Sequence, residues 1–149
     1  MSNVPEVPFI SVVIPTKDRC QLVQDALDGL ALQTLGLDQF QVIVVDNGSS
    51  DDTVAVLQER SHEFDFDFQV LRNPARNFGV KQAKGEVIAF LDSDCRPDKE
   101  WLRVIYQIFQ NNNDLQFATG VIDFKPEQLD RSGFFTRKTV VTSNEQPTY

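Results

Sequence analysis

Asp92 and Asp94 stand two residues apart, directly after the apolar run Glu86 to Leu91 (EVIAFL). Alternation along an extended chain puts positions i and i+2 on one side, so both carboxylates can face one point. Hard oxygen ligands of this kind hold Mg²⁺ or Mn²⁺ and leave coordination positions open for phosphate oxygens. Such an ion neutralises a diphosphate and makes it a better leaving group. An Asp-x-Asp by itself reads more readily as a solvated turn and helix cap, so its meaning depends on what stands beside it.

Other polar residues occupy equivalent places. Asp46 follows the apolar run Phe40 to Val45 (FQVIVV), and Pro15, Thr16 and Lys17 follow Phe9 to Ile14 (FISVVI). Asp46 reads equally as a turn former beside Asn47 and Gly48 or as an acceptor for a base or ribose. Thr16 can contact a nucleotide or satisfy local backbone. Arg72 and Arg76 bring positive charge to a strand end, where it can approach phosphates, although Arg72 fits a surface position better. The single histidine, His62, sits in the charged stretch from Arg60 to Asp67 and excludes a Ser-His-Asp system. Cys20 and Cys95 are too few for a Cys-based zinc site or a disulfide framework, and they suit a reducing compartment.

These residues need elements that bring them together. The three apolar runs predict strands buried on both faces. Between the first two, Leu22, Val23, Ala26, Leu27, Leu30 and Ala31 recur at helical spacing, with Gly36 beyond them as a left-handed cap. Ser50 or Asp51 caps a second helix starting near Asp52. Phe68 to Leu71 predicts a weaker strand, and the Phe64, Phe66, Phe68 alternation an amphipathic edge. Val80 to Lys84 predicts a short helix closed by Gly85. Asp98 caps a last helix whose buried face is Trp101, Leu102, Ile105, Ile108 and Phe109, and Leu115 to Phe124 predicts another strand. Beyond Lys125 the pattern decays into a loosely ordered tail. Strands alternating with helices give an α/β fold with a mainly parallel sheet. Ligands of open parallel sheets bind at the carboxyl ends of the strands, so the three polar segments should gather on one edge.

At 149 residues the chain suits one domain, and its net charge of −8 argues against a nucleic-acid partner. A small phosphate ligand in so acidic a protein needs a cation or a local basic patch. No apolar run approaches the ~20 residues of a membrane span, and the polar start, Met1 to Val7, lacks a signal-peptide pattern. A cytoplasmic location follows, with room for attachment to a membrane's inner face or to a partner chain. The turn Pro15-Thr16-Lys17-Asp18-Arg19 has no glycine, which excludes a dinucleotide fingerprint and argues against a sugar nucleotidyltransferase; no P-loop is present. Without those cradles, more of the phosphate charge falls to a metal.

Together, VVIPTKDR, FQVIVVDNGSSDDT and ARNFGVKQAKGEVIAFLDSD resemble glycosyltransferase family 2, with its GT-A type, Rossmann-like fold. The similarity runs from about Phe9 to Phe124. It implies a nucleotide-diphospho-sugar donor, often a UDP-sugar, an inverting transfer to a carbohydrate, lipid or protein acceptor, and a setting such as polysaccharide biosynthesis. By position, Pro15, Thr16 and Lys17 fall in the donor pocket and Asp46 contacts the base. Asp92 lies near ribose and metal, Ser93 lies between, and Asp94 binds Mg²⁺ or Mn²⁺ on the diphosphate. Arg76 and Asn77 match an Arg-Asn pair near the donor. Lys17 replaces a frequent aromatic residue, and Cys95 a common third acidic one. The stretch from Leu71 to Gly79 is shorter than usual for the family.

An inverting transfer also needs a general base for the acceptor hydroxyl. None of Asp123, Glu127 and Asp130 sits in a recognisable base motif. The expected organisation is therefore a flexible start at 1–8, a donor-binding α/β domain at 9–124, and at 125–149 the start of an incomplete acceptor region, truncated at the C-terminus. The alternative is a nucleotide-sugar-binding module without transfer activity of its own.

Overall fold

The structure, a computed structural model, describes residues 7–72, 76–119 and 140–143. Strand β1 (Ile10–Thr16) leads through helix α1 (Cys20–Ala31) to β2 (Phe40–Asp46), and α2 (Thr53–Arg60) leads to β3 (Asp67–Arg72). Helix α3 (Arg76–Gln82), β4 (Val87–Phe90), α4 (Trp101–Asn111), β5 (Phe117–Thr119) and β6 (Val140–Ser143) complete the α-helices and strands of the described residues. The six strands form one sheet in the order β3-β2-β1-β4-β6-β5. The first four are mutually parallel, whereas β6 runs antiparallel to both β4 and β5.

Period-two alternation divides the apolar strand residues between two faces. Ile10, Val12, Ile14, Val42, Val44, Val87 and Ala89 pack with α1, α2 and α4 through Val23, Leu27, Leu30, Leu57, Leu102 and Ile105. Val13, Ile43, Val45 and Ile88 face the other way, against Val80 and Ala83 in and beside α3. Burial on both sides explains why these strands read as continuous apolar runs. Gly79 lets α3 approach closely, since a Cβ there would lie 2.6 Å from Val45 Cγ2 and 2.9 Å from Val13 Cγ1.

Several local expectations need correction. Strand β1 continues through Pro15, whose missing N–H is tolerated at the strand's carboxyl end. Helix α1 ends at Ala31 and is followed by Leu32 with φ −95°, and Gly36 has no left-handed backbone, so it is no cap. Asp51 does hold the start of α2, accepting the Thr53 N–H at 3.0 Å. Helix α3 begins at Arg76, a turn earlier than Val80, and thus contains Asn77. Asp98 precedes α4 by a turn, accepting the Glu100 N–H at 2.9 Å. Ile108 is 37% exposed, because it lies roughly a quarter turn from the arc of Leu102, Ile105 and Phe109.

The decayed pattern beyond Lys125 conceals β6, whose four residues pair with β4 and whose first three pair with β5 as well. Only the first residues of the expected Leu115 to Phe124 strand are described, as β5; Asp123, Glu127 and Asp130 lie outside the described residues.

Gly85 marks the tightest backbone approach. A Cβ there would stand 2.7 Å from Ser11 N and 2.8 Å from Ile10 C, both backbone atoms of β1. Its N–H donates to Ser11 Oγ at 2.8 Å, within a buried network in which Ser11 Oγ and the Lys84 N–H both donate to Gln41 Oε1. Backbone cannot yield as a flexible side chain would, so Gly85→Ala should destabilise the fold by about 1–3 kcal/mol. A fall in the urea midpoint with an unchanged slope is the expected reading.

Candidate donor site

The strand order reverses direction at β1: the chain proceeds outward through β2 and β3, then returns to place β4 on the other flank. The carboxyl ends of β1 and β4 therefore border a topological switch point, where crevices of parallel sheets open. A cavity of about 570 Å³ lies there, lined by Pro15, Thr16, Lys17, Arg19, Asn47, Asp92, Ser93 and Asp94. That volume suits a small-molecule ligand. Of the expected residues, Pro15, Thr16, Lys17, Asp92, Ser93 and Asp94 meet on this wall. Asn47, from the polar segment after β2, joins them as the strand-end rule expects, and so does Arg19, which directly follows the segment after β1.

Asp92 and Asp94 converge for a different reason than strand alternation. They sit in a turn after β4, closed by the Cys95 N–H donating to Asp92 O at 3.0 Å. Ligand atoms of Asp92, Asp94 and the buried Cys95 lie within 4.8 Å of one another. The Cys95 thiol donates to Asp94 Oδ1 at 3.7 Å, and Arg19 Nη1 stands 3.4 Å from Asp94 Oδ2. Two half-buried carboxylates facing an open cavity are a donor set that suits a hard divalent ion.

The turn is fixed from behind by α1. Pro97 is buried where a Cβ on Gly29 would come within 2.8 Å of its Cδ, so the helix glycine makes room for the segment after the acidic turn. Gln33, nearly fully buried, donates to Asp98 O at 2.7 Å and accepts the Leu102 N–H at 2.9 Å. Sequence reading missed Gln33, since a glutamine at a helix end looks like surface. Gly29 did carry a signal: a glycine inside an apolar helical stripe marks a close approach.

Asp46 is placed differently from the expectation that it contacts a base. Its register shares the side of Val42 and Val44, so the carboxylate is fully buried and does not line the cavity. It accepts the Ser49 N–H at 3.0 Å and the Ser49 hydroxyl, and Arg72 Nε lies 3.7 Å from it. Its visible work is to hold the loop that carries Asn47. Arg72, read from sequence as a surface residue, is exposed at its tip yet reaches this buried charge. Arg76 and Asn77 begin α3, and their side chains lie outside the described structure.

Asp18 joins the loops after β1 and β2. With φ at 49°, a conformation aspartate tolerates better than most residues, its Oδ1 accepts the N–H groups of Ser50 at 2.7 Å and Asp51 at 3.3 Å. Its own N–H donates to Ser49 Oγ at 2.8 Å. The backbone bonds from Ser50 and Asp51 hold its carboxyl below the ordinary value of 3.8. Thr16 is the opposite case: at 4% exposure, its Oγ1 is buried on the cavity wall without a hydrogen-bond partner among the described residues.

Known proteins resemble this arrangement. The profile of Glycosyl transferase family 2 matches residues 11–142. Glycosyltransferase AglE of Haloferax volcanii is 37% identical over 102 residues, which cover 64% of this chain and 34% of that protein. Staphylococcus aureus TarS 1–349 in complex with UDP-GlcNAc superposes with TM-score 0.66 at 26% identity, covering 78% of this chain and 34% of the other. The mannosyltransferase PcManGT from Pyrobaculum calidifontis, in complex with GDP-Man and Mn²⁺, shares the fold with TM-score 0.70 at 17% identity, covering 96% and 46%. The chain spans about a third of the length of AglE.

Two outcomes follow from the loop and wall residues. A carboxyl with a depressed pKa stabilises the fold above its unfolded value and loses that contribution as pH falls through the folded one. The stability of the wild type over Asp18→Asn should thus be full at neutral pH and vanish below 3.8, as read by denaturation at stepped pH. Thr16→Val removes a buried hydroxyl that has no partner among the described residues, so stability read by thermal unfolding should rise by about 1 kcal/mol, while nucleotide affinity falls.

Proposed function

The chain belongs to Glycosyl transferase family 2, and from that membership we propose that it binds a nucleotide-diphospho-sugar donor, a UDP-sugar, for metal-assisted transfer to an acceptor hydroxyl with inversion. The observation that carries this reading is the meeting of Thr16, Lys17, Asp92 and Asp94 on one cavity wall at the switch point. The UDP-GlcNAc of TarS and the GDP-Man and Mn²⁺ of PcManGT support it.

Pro15 and Thr16 border the nucleoside, and the unpartnered Thr16 hydroxyl gains an acceptor or donor on binding. Asp92 stands beside the ribose. Asp92 and Asp94 would hold Mg²⁺ or Mn²⁺, which when bound supplies charge neutralisation to the departing diphosphate. Lys17 adds a point charge at the same wall, where an aromatic residue would have stacked. Asp46 supports the donor through Asn47, and Arg76 and Asn77 are donor contacts from the start of α3. Orientation of the donor and exclusion of water are what these residues contribute to the transfer.

Among the described residues of the wall, the only carboxylates are Asp92 and Asp94. Metal ligands cannot also take the acceptor's proton, so the general base comes from residues elsewhere or from a partner chain. This favours a donor-binding portion, and it keeps the second reading open, a module that binds the donor without turning it over. No helix of the described residues is long and apolar enough to cross a membrane. A cytoplasmic location, at a membrane's inner face where the acceptor is a lipid, fits two cysteines, Cys20 and Cys95, that are not joined in a disulfide.

Calorimetric titration of UDP and UDP-sugars with and without Mn²⁺ tests the donor site. Binding should require the metal and weaken at least about tenfold in Asp94→Ala, equivalent to ~1.4 kcal/mol. Metal-independent binding, or none, overturns the metal-assisted reading. Metal-dependent binding with no hydrolysis or transfer selects the binding module.

A further inference from the structure

The cavity wall carries two cations and two anions: Lys17 and Arg19 against Asp92 and Asp94. Their charges cancel. A diphosphate of about two negative charges therefore meets no net attraction here until a divalent cation is added. One pairing within this balance is specific. Arg19 Nη1 lies 3.4 Å from Asp94 Oδ2, with the arginine side chain 48% exposed and the aspartate 27%. Arg19 is also fixed by its backbone at the start of α1, where its carbonyl accepts the Val23 N–H at 3.0 Å. Only its side chain is left to move.

Resting on the metal reading above, we infer that Arg19 is an exchangeable counter-ion: it neutralises Asp94 while the cation is absent and turns to the donor's diphosphate once the cation takes Asp94. A half-exposed ion pair is weak, so a divalent ion can displace it. The released guanidinium is then a planar fork beside the site of the phosphates, the geometry that recognises phosphate in two bonds. The same side chain thus opposes the metal when alone and supports the metal-bound donor. Because linkage is reciprocal, Arg19 increases the coupling between metal and nucleotide. It is a specificity-determining residue, set apart from Lys17, whose charge adds to the wall without holding Asp94 in a described ion pair.

The test measures Mn²⁺ alone by electron paramagnetic resonance, and UDP with saturating Mn²⁺ by calorimetry, in wild type, Arg19→Gln, Arg19→Lys and Lys17→Gln. Arg19→Gln should bind Mn²⁺ alone about two- to fivefold more tightly, having lost the competitor. It should bind UDP in the presence of Mn²⁺ about tenfold more weakly, having lost a charge-assisted contact. Arg19→Lys should recover part of both. Lys17→Gln should weaken UDP with a smaller effect on Mn²⁺ alone.

If Arg19→Gln binds Mn²⁺ alone with equal or lower affinity, Arg19 only positions Asp94 and the proposal fails. It also fails if UDP with Mn²⁺ is unaffected, or if Lys17→Gln tightens Mn²⁺ equally. Absence of Mn²⁺ binding in the wild type, with and without UDP, overturns the metal reading itself and this proposal with it.

Discussion

Strand β1 is buried on both faces along its length, and this constraint shapes what the chain can do. A strand enclosed by β2 and β4 at its sides, and by helices above and below, admits apolar side chains almost exclusively until it emerges. The exception within it, Ser11, is tied to Gln41 and Gly85 at the opposite end. Polar chemistry is thereby displaced to the carboxyl edge. Because β2 and β4 run parallel to β1, their polar continuations emerge beside it. The reversal of strand order leaves a gap between the ends of β1 and β4, and the cavity fills it.

Within that edge, rigidity and freedom are distributed unequally. The loops after β1 and β2 are bolted together by Asp18 on Ser50 and Asp51, and the acidic turn is held against α1 through Gln33, Gly29 and Pro97. Backbone positions are over-determined, which is the condition for holding polar groups ready for a ligand. Lys17, Arg19 and Asn47 are the exposed members of the wall, and the first two carry charge. A firm backbone carrying mobile charges would let the proposed donor enter a neutral site without reorganising the fold.

Much of this was legible in the sequence. Three runs of β-branched and apolar residues fixed the parallel core, since such runs are the mark of two-sided burial. The rule that ligands bind at strand ends then selected three polar segments, of which Pro15, Thr16, Lys17, Asn47, Asp92, Ser93 and Asp94 line the cavity while Asp18, Asp46 and Gly48 do not. Less legible were features that depend on contacts distant along the chain. Gln33 acts on residues more than sixty positions away, and nothing local distinguishes it from a surface glutamine. β6 was hidden because a four-residue strand flanked by polar residues carries too little periodicity to separate from coil. Ile108 was misassigned because an apolar residue at the border of a helical stripe is allotted to core or surface by the neighbouring element, not by its own spacing.

The three acidic residues at strand ends show how burial decides which carboxylate can serve a ligand. Sequence alone treats Asp46, Asp92 and Asp94 alike. Asp46 falls on the inward parity of β2, and a charge there must be satisfied within the protein or cost several kcal/mol. Ser49 and Arg72 meet that demand, leaving its oxygens turned to the protein. Asp92 and Asp94 fall instead in a turn beyond β4, half-buried, where one side of each faces the cavity. A carboxylate in that position would be dry enough to hold the proposed cation and open enough to share it with a phosphate. A fully exposed pair would bind the ion weakly, and a fully buried pair would have no room for the ligand. The intermediate burial of this turn, beside the buried Cys95 and Pro97, suits the metal and diphosphate proposed for the acidic motif.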